Sequence, residues 1–276
     1  MSKTYLFFVL FCALAFTSCQ PKPERDPIPY SVNADFSDIF KQYGLPNGAF
    51  LMWRKSEGFF RTYNETRNQL MCLPASTFKI PNTLIGLETG AIQDENTMFK
   101  WDGTKRSIET WNQDTNLAMA FKNSTVWYYQ DIARRVGMEK MQAWINKLNY
   151  GNRNIGGGID AFWLTGDIRI SSYQQIDFLK QIQANELPVS QHSLDVLKRI
   201  MIREETPDYV LRGKTGWGLG KKGQPDIGWF VGYVESKADT TFFALNVESP
   251  IPSPDNFASA RIDITTAILK RMKVIF

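Results

Sequence analysis

Histidine is almost missing from this chain: 276 residues include one, His192. A Ser-His-Asp triad would depend on it, and so would a Cys-His pair with Cys72. It stands in Pro188-Val-Ser-Gln-His-Ser, a loop leading into a helix, where an exposed structural histidine is the reading to expect. No zinc-ligand spacing exists, so metallo-hydrolase chemistry has no ligand set, and no metal is expected. Charge of one sign is lacking too, with a formal net charge of +4. The basic pairs Lys221-Lys222 and Lys270-Arg271 are short and not interleaved with aromatics, which argues against nucleic acid as a partner. Internal repeats and low-complexity segments are absent. Long apolar runs are confined to the N-terminus.

That one run has the form of an export signal. Lys3 supplies a positive start and Tyr5 to Phe16 is almost unbroken apolar sequence, short for a bilayer span. Thr17-Ser18-Cys19 resembles a bacterial lipoprotein cleavage site, although Phe16 departs from the usual leucine. Residues 1–18 are therefore expected to be removed and Cys19 lipidated, placing the protein in the periplasm on the outer membrane. Residues 19–33, with Pro21, Pro23, Pro27 and Pro29, read as a stiff tether. Cys12 leaves with the signal and Cys19 would be acylated. Cys72 is then a small apolar residue without a disulfide partner.

With 43% apolar residues the rest can bury one large core or a core plus an insert. Asp35 to Tyr43 reads as an amphipathic helix stopped by Gly44, and Gly48 to Lys55 with Gly58 to Tyr63 as a hairpin. Ala75 to Thr89 reads as a helix closed by Gly90 and bent at Pro81. Further helical patterns cover Leu117 to Asn123, Val126 to Arg135, Met138 to Lys147, Ser172 to Ile182 and Ser190 to Met201. Strands resume at Asp208 to Lys214, Ile227 to Glu235 and Thr241 to Glu248, before a last helix from about Asn256 to Met272. An isolated hairpin is marginal, so early and late strands must pair. This predicts an α+β fold: an antiparallel sheet (34–65 and 205–276) flanked by terminal helices, with a helical subdomain (66–204) inserted.

Two familiar-looking motifs fail in context. Gly218-x-Gly220-x-x-Gly223 follows a strand, but Pro225 and another strand come where a phosphate-binding helix should start. Gly213-Lys214-Thr215 imitates the end of a phosphate loop whose first glycine would be Asp208. What remains is Ser76-Thr77-Phe78-Lys79 and, far downstream, Lys214-Thr215-Gly216. A serine and lysine three apart share one helix face, so an amine can take the serine's proton without histidine. The pair S-x-x-K and K-T-G is a signature of β-lactamases and penicillin-binding proteins.

Ser124-Thr125-Val126 and Tyr150-Gly151-Asn152 stand between them. In this order the chain resembles the class D serine β-lactamases, the oxacillinases, with Trp163 and Trp229-Phe230-Val231-Gly232 extending the match from about Phe50 to Arg261. The resemblance implies hydrolysis of penicillin-type antibiotics through a Ser76 acyl-enzyme. It also implies that Lys79 is carboxylated by CO2 or bicarbonate, no other cofactor being required. Phe78, Val126 and Trp163 would wall that group, with the Trp163 indole N–H as its partner. Backbone N–H groups of Ser76 and Trp217 would form the oxyanion hole. Ser124 would relay a proton to the lactam nitrogen with Lys214 tuning it, Thr215 and Arg261 would hold the drug's carboxylate, and Ser124, Lys214, Gly216 and Trp217 would complete the substrate-binding set. Tyr150-Gly151-Asn152 is assigned a structural role lining the cleft. A transpeptidase that keeps its acyl group would carry Asn where Val126 stands. A β-lactam sensor would be preceded by several membrane helices.

Overall fold

The late strands at Ile227–Ser236 and Thr240–Glu248 are buried at nearly every position, as expected of strands covered on both faces. The computed structural model describes residues 30–276. The export signal, Cys19 and the tether up to Pro29 lie outside the described residues. The strands are β1 (Ser31–Asn33), β2 (Gly48–Arg54), β3 (Phe60–Tyr63), β4 (Met98–Phe99), β5 (Thr115–Asn116), β6 (Ile202–Glu205), β7 (Tyr209–Gly218), β8 (Ile227–Ser236) and β9 (Thr240–Glu248). The helices are α1 (Ser37–Gln42), α2 (Glu65–Asn68), α3 (Lys79–Glu88), α4 (Leu117–Lys122), α5 (Val126–Val136), α6 (Met138–Lys147), α7 (Ser172–Ala184), α8 (Gln191–Ile200) and α9 (Phe257–Arg271). Among the described residues no helix is long and apolar enough to cross a membrane.

The main sheet has seven strands in the order β1-β3-β2-β9-β8-β7-β6. The early hairpin does pair with the late strands, through β2 against β9 from Gly48↔Val247 to Arg54↔Thr241. Because side chains alternate across a strand, β9 feeds two cores. Phe242 and Ala244 pack towards the inserted helices, whereas Phe243, Leu245 and Val247 pack with Phe36, Phe40, Ile264 and Ile268 of the terminal helices.

Four expectations are corrected. The tether stops short of Asn33, because Ser31–Asn33 form β1, parallel to β3, so the sheet is mixed rather than purely antiparallel. Three residues are too few to show a period. The sheet region also starts earlier at its second part, since β6 begins at Ile202 and pairs with β7. Within the helical part, β4 and β5 make a small sheet of their own. Finally, the helix at Ser76 opens as a 3₁₀ turn, Ala75–Phe78, before α3, and Pro81 is its third residue. The 3₁₀ turn and α3 run on without a break, since backbone N–H groups at the Lys79 junction donate to Ser76 O and Thr77 O.

Candidate active site

Lys214-Thr215-Gly216 lies inside a strand, not at its end: β7 continues to Gly218, paired with β8 throughout. The glycines that look like a strand stop are there for close approach. A Cβ on Gly216 would meet Pro74 O at 2.9 Å, Thr77 Cγ2 at 3.1 Å and Trp229 Cβ at 3.2 Å. The K-T-G strand therefore rests directly on the turn that carries Ser76. That turn is held from other sides as well. Trp229 Nε1 donates to Leu73 O at 2.9 Å, and Gln175 Nε2 from α7 donates to Thr77 Oγ1 at 2.9 Å. Since β6 pairs with β7 only as far as Arg212, the outer edge of β7 beside K-T-G carries no partner strand among the described residues. An extended ligand can add there as another strand would.

Ser76 is 8% exposed, and its Oγ accepts a hydrogen bond from Lys79 Nζ at 2.9 Å. The 3₁₀ turn brings the two together from positions three apart. Lys79 is fully buried, with Nζ 5.1 Å from the ring centre of Tyr129, one turn after Val126 on α5. Burial alone pushes its ammonium down to about 7. Phe78 and Trp163 stack with ring centres 5.3 Å apart. Trp163 is fully buried and its Nε1 has no hydrogen-bond partner. A buried donor left unmatched costs on the order of 1–3 kcal/mol, so an acceptor belongs there.

Trp163 is placed by the Tyr150-Gly151-Asn152 turn. Asn152 Nδ2 donates to Asp167 O at 2.9 Å, its Oδ1 accepts from Arg169 N at 3.0 Å, and its N–H donates to Arg169 O at 2.9 Å. Those bonds close the loop that carries Phe162-Trp163.

On the other side of Ser76, Lys214 Nζ donates to Ser124 Oγ at 2.9 Å. Lys214 is 1% exposed and held well below the usual lysine range by burial, with Lys79, Arg203 and Arg261 adding repulsion. Ser124 sits at φ +56° and Ala75, just before Ser76, at φ +48°. Left-handed backbone at two non-glycine residues costs about 1 kcal/mol or more each, and both flank the proposed reacting groups. Trp111 Nε1 braces the Ser124 turn by donating to Asn123 O at 3.0 Å.

Arg261 comes from α9 across the sheet, its stem passing the bare Gly228. Its guanidinium donates to Gly216 O and sits 5.4 Å from the ring centre of Trp217. Burial lowers it to about 10. Thr215 lies between Lys214 and Gly216 on β7, half-buried. Val126, also half-buried, is the first residue of α5. Ser76, Lys79, Ser124, Lys214 and Gly216 are thus brought together as one cluster, flanked by Arg261.

His192 is exposed on α8, with Nε2 2.8 Å from Gln93 O. Cys72 is half-buried, free, and has its thiol pushed up by burial. The Gly218–Gly223 segment is the β7–β8 connection, with no helix after it. Among the described residues no cluster of metal-ligating side chains occurs. Sequence reasoning missed Tyr129, whose spacing from Val126 could have flagged it, and Asp226, which only the fold brings to Trp217.

A buried Ser-x-x-Lys turn facing a Lys-Thr-Gly strand defines a serine acyl-transfer site of the penicillin-recognising kind. In agreement, the family model for the penicillin binding protein transpeptidase domain matches residues 49–271. The β-lactamase OXA-48 of Klebsiella pneumoniae is 42% identical over 247 residues, 89% of each chain. OXA-5 of Pseudomonas aeruginosa is 45% identical over 212 residues, 75% of this chain and 79% of that one. The solved structure of a class D β-lactamase from Nostoc superposes with a TM-score of 0.82 at 45% identity, covering 87% of this chain and 99% of the other. One from Sebaldella termitidis gives 0.84 at 35% identity, covering 89% and 98%. This chain belongs to the class D β-lactamases.

Proposed function

We propose that this protein opens the β-lactam ring of penicillin-type antibiotics by acyl transfer to Ser76 and hydrolysis of the ester, protecting its host from the drug. The observation that carries the reading is the fully buried Lys79 amine 2.9 Å from Ser76 Oγ. With its ammonium lowered to about 7, a large share of Lys79 is neutral near neutral pH. A neutral buried amine is the form that adds CO2, and a carboxyl group on Nζ supplies a carboxylate base at that point. The unmatched indole N–H of Trp163 and the apolar walls of Phe78 and Val126 suit such a group.

Ser76 Oγ gives up its proton on the Lys79 side and bonds to the lactam carbonyl carbon. N–H groups of Ser76 and Trp217 take the charge that develops on the carbonyl oxygen. As the C–N bond breaks, Ser124 passes its hydroxyl proton to the lactam nitrogen and takes up the proton that the Lys79 side removed from Ser76, which frees that base again, with Lys214 Nζ 2.9 Å from the serine oxygen. Arg261 and Thr215 recognise the drug's carboxylate, since a guanidinium lowered only to about 10 keeps its charge near neutral pH. Water, deprotonated from the Lys79 side, then adds to the ester carbonyl and releases Ser76. The N-terminal sequence supports export, with Cys19 lipidated and facing the periplasm.

Purified protein should turn over a chromogenic cephalosporin many times per Ser76, and Ser76→Ala should show neither turnover nor a penicillin adduct by intact mass. A burst of one equivalent followed by silence would make the protein a penicillin acceptor without hydrolysis.

A further inference from the structure

Trp217 is a large apolar residue left 37% exposed at the mouth of the site, yet its indole is contacted at three points. Its edge meets Phe257 with ring centres 5.2 Å apart and an interplanar angle of 70°. One face lies 5.4 Å from the Arg261 guanidinium. Nε1 donates to Asp226 Oδ2 at 2.8 Å, which is the ring's single polar tie. The other carboxylate oxygen of Asp226 accepts from Gly220 N at 2.8 Å, in the same β7–β8 connection. Asp226 itself is anchored to the sheet: its N–H donates to Ser249 Oγ and its carbonyl accepts from Ser249 N, both at 3.0 Å, just past β9. It is a fixed post from which one side chain holds both a ring and a loop.

Among the described residues no other hydrogen bond sets the torsions of that indole. Contacts with Phe257 and the guanidinium are non-directional and allow the ring to swing, whereas a charge-assisted hydrogen bond does not. The ring covers Arg261, whose guanidinium is committed to Gly216 O and to Phe257 O and Ala258 O. A swung indole would expose Arg261 to water or occupy the place of the incoming carboxylate. We infer that Asp226 is a positioning residue for drug recognition: through the indole N–H it holds Trp217 over Arg261 and so keeps the carboxylate subsite formed.

This rests on the acyl-transfer reading above. Carboxylate recognition is shared by the bound drug and the transition state, so the loss belongs in KM rather than kcat. Asp226→Ala should raise KM for a penicillin about tenfold with kcat within about threefold of the parent. Asp226→Asn, whose amide oxygen can accept the same N–H, should return KM to within about threefold. In a Trp217→Phe background, which keeps a ring but has no N–H to donate, Asp226→Ala should add nothing, the signature of two residues acting as one. An equal KM rise in both backgrounds, or Asp226→Asn behaving like Asp226→Ala, would overturn the proposal.

The bond is also readable without substrate. The Trp217 indole 1H–15N resonance, assigned by its disappearance in Trp217→Phe, should move in Asp226→Ala. If it stays put, the latch is wrong even though the enzyme acylates. If the parent protein takes no penicillin while the resonance moves as expected, the acyl-transfer reading has failed and the latch stands.

Discussion

At the scale of single residues, the site is a problem of keeping amines neutral. Lys79 and Lys214 are both buried, and no carboxylate is near enough to raise either. For Lys79 the folded chain binds fewer protons than the unfolded one between about 7 and the ordinary 10.5. Stability then rises with pH through that window, is full above 10.5, and is lost as pH falls to about 7. In CO2-free buffer, Lys79→Met should raise the urea midpoint at pH 7 by an amount worth a few kcal/mol, roughly, and by less at pH 10. Turnover should fall as pH drops through about 7, because the protonated amine cannot add CO2, and bicarbonate should restore part of it. Trp163→Phe should slow deacylation by about tenfold, because the proposed carboxyl group on Lys79 would lose the unmatched indole N–H as its donor. Pre-steady-state mass spectrometry would show the accumulated ester. Unaltered activity with bicarbonate at low pH, together with normal turnover by Lys79→Ala, would remove Lys79 from the mechanism.

At the scale of elements, the central contact is β7 against the 3₁₀ turn before α3. Ser76 and Lys79 meet locally within the turn, and Lys214, held on Ser124, stands beside them because Gly216 lets the strand touch that turn. Gly216→Ala would push against Pro74 O, which is backbone and cannot rotate away. The acylation rate by stopped flow should fall about 10²-fold, the loss expected from misplacing reacting groups by an ångström. The melting temperature should drop by several degrees, since overpacking costs about 1–3 kcal/mol. Should Gly216→Ala acylate at the parent rate, close approach of β7 is not what assembles the site.

At the scale of the molecule, the sheet separates two cores. One is built with α1 and α9, the other with the inserted helices, and the site lies where the insert meets β7. Arg261 joins the two sides by crossing from α9 to Gly216. The domain would work at a membrane surface if the N-terminal reading holds. Protein from its natural host should carry a mass increment of fatty acyl chains at Cys19, and a single multiply acylated residue would anchor it firmly. A mature form beginning elsewhere with an unmodified residue would end that expectation.

Most helices were legible in the sequence because their apolar period survives in one dimension: α4, α5, α6, α7, α8 and α9 fall within a few residues of where that period puts them. The order of the motifs likewise singled out Ser76, Lys79, Ser124 and Lys214, because type and spacing are local properties, and the fold pairs Ser76 with Lys79 and Ser124 with Lys214. Tertiary structure decided the rest. β1 is too short to show alternation and exists only because β3 offers an edge. The strand through Gly216 looks like a turn until the neighbouring 3₁₀ turn, whose Pro74 O lies 2.9 Å from where a Cβ would sit, explains the glycine. The lowered amine of Lys79 and the unmatched N–H of Trp163 are consequences of burial, and burial depends on what packs from 50 or 100 residues away. Asp226 meets Trp217 across a hairpin whose register only pairing with β8 sets.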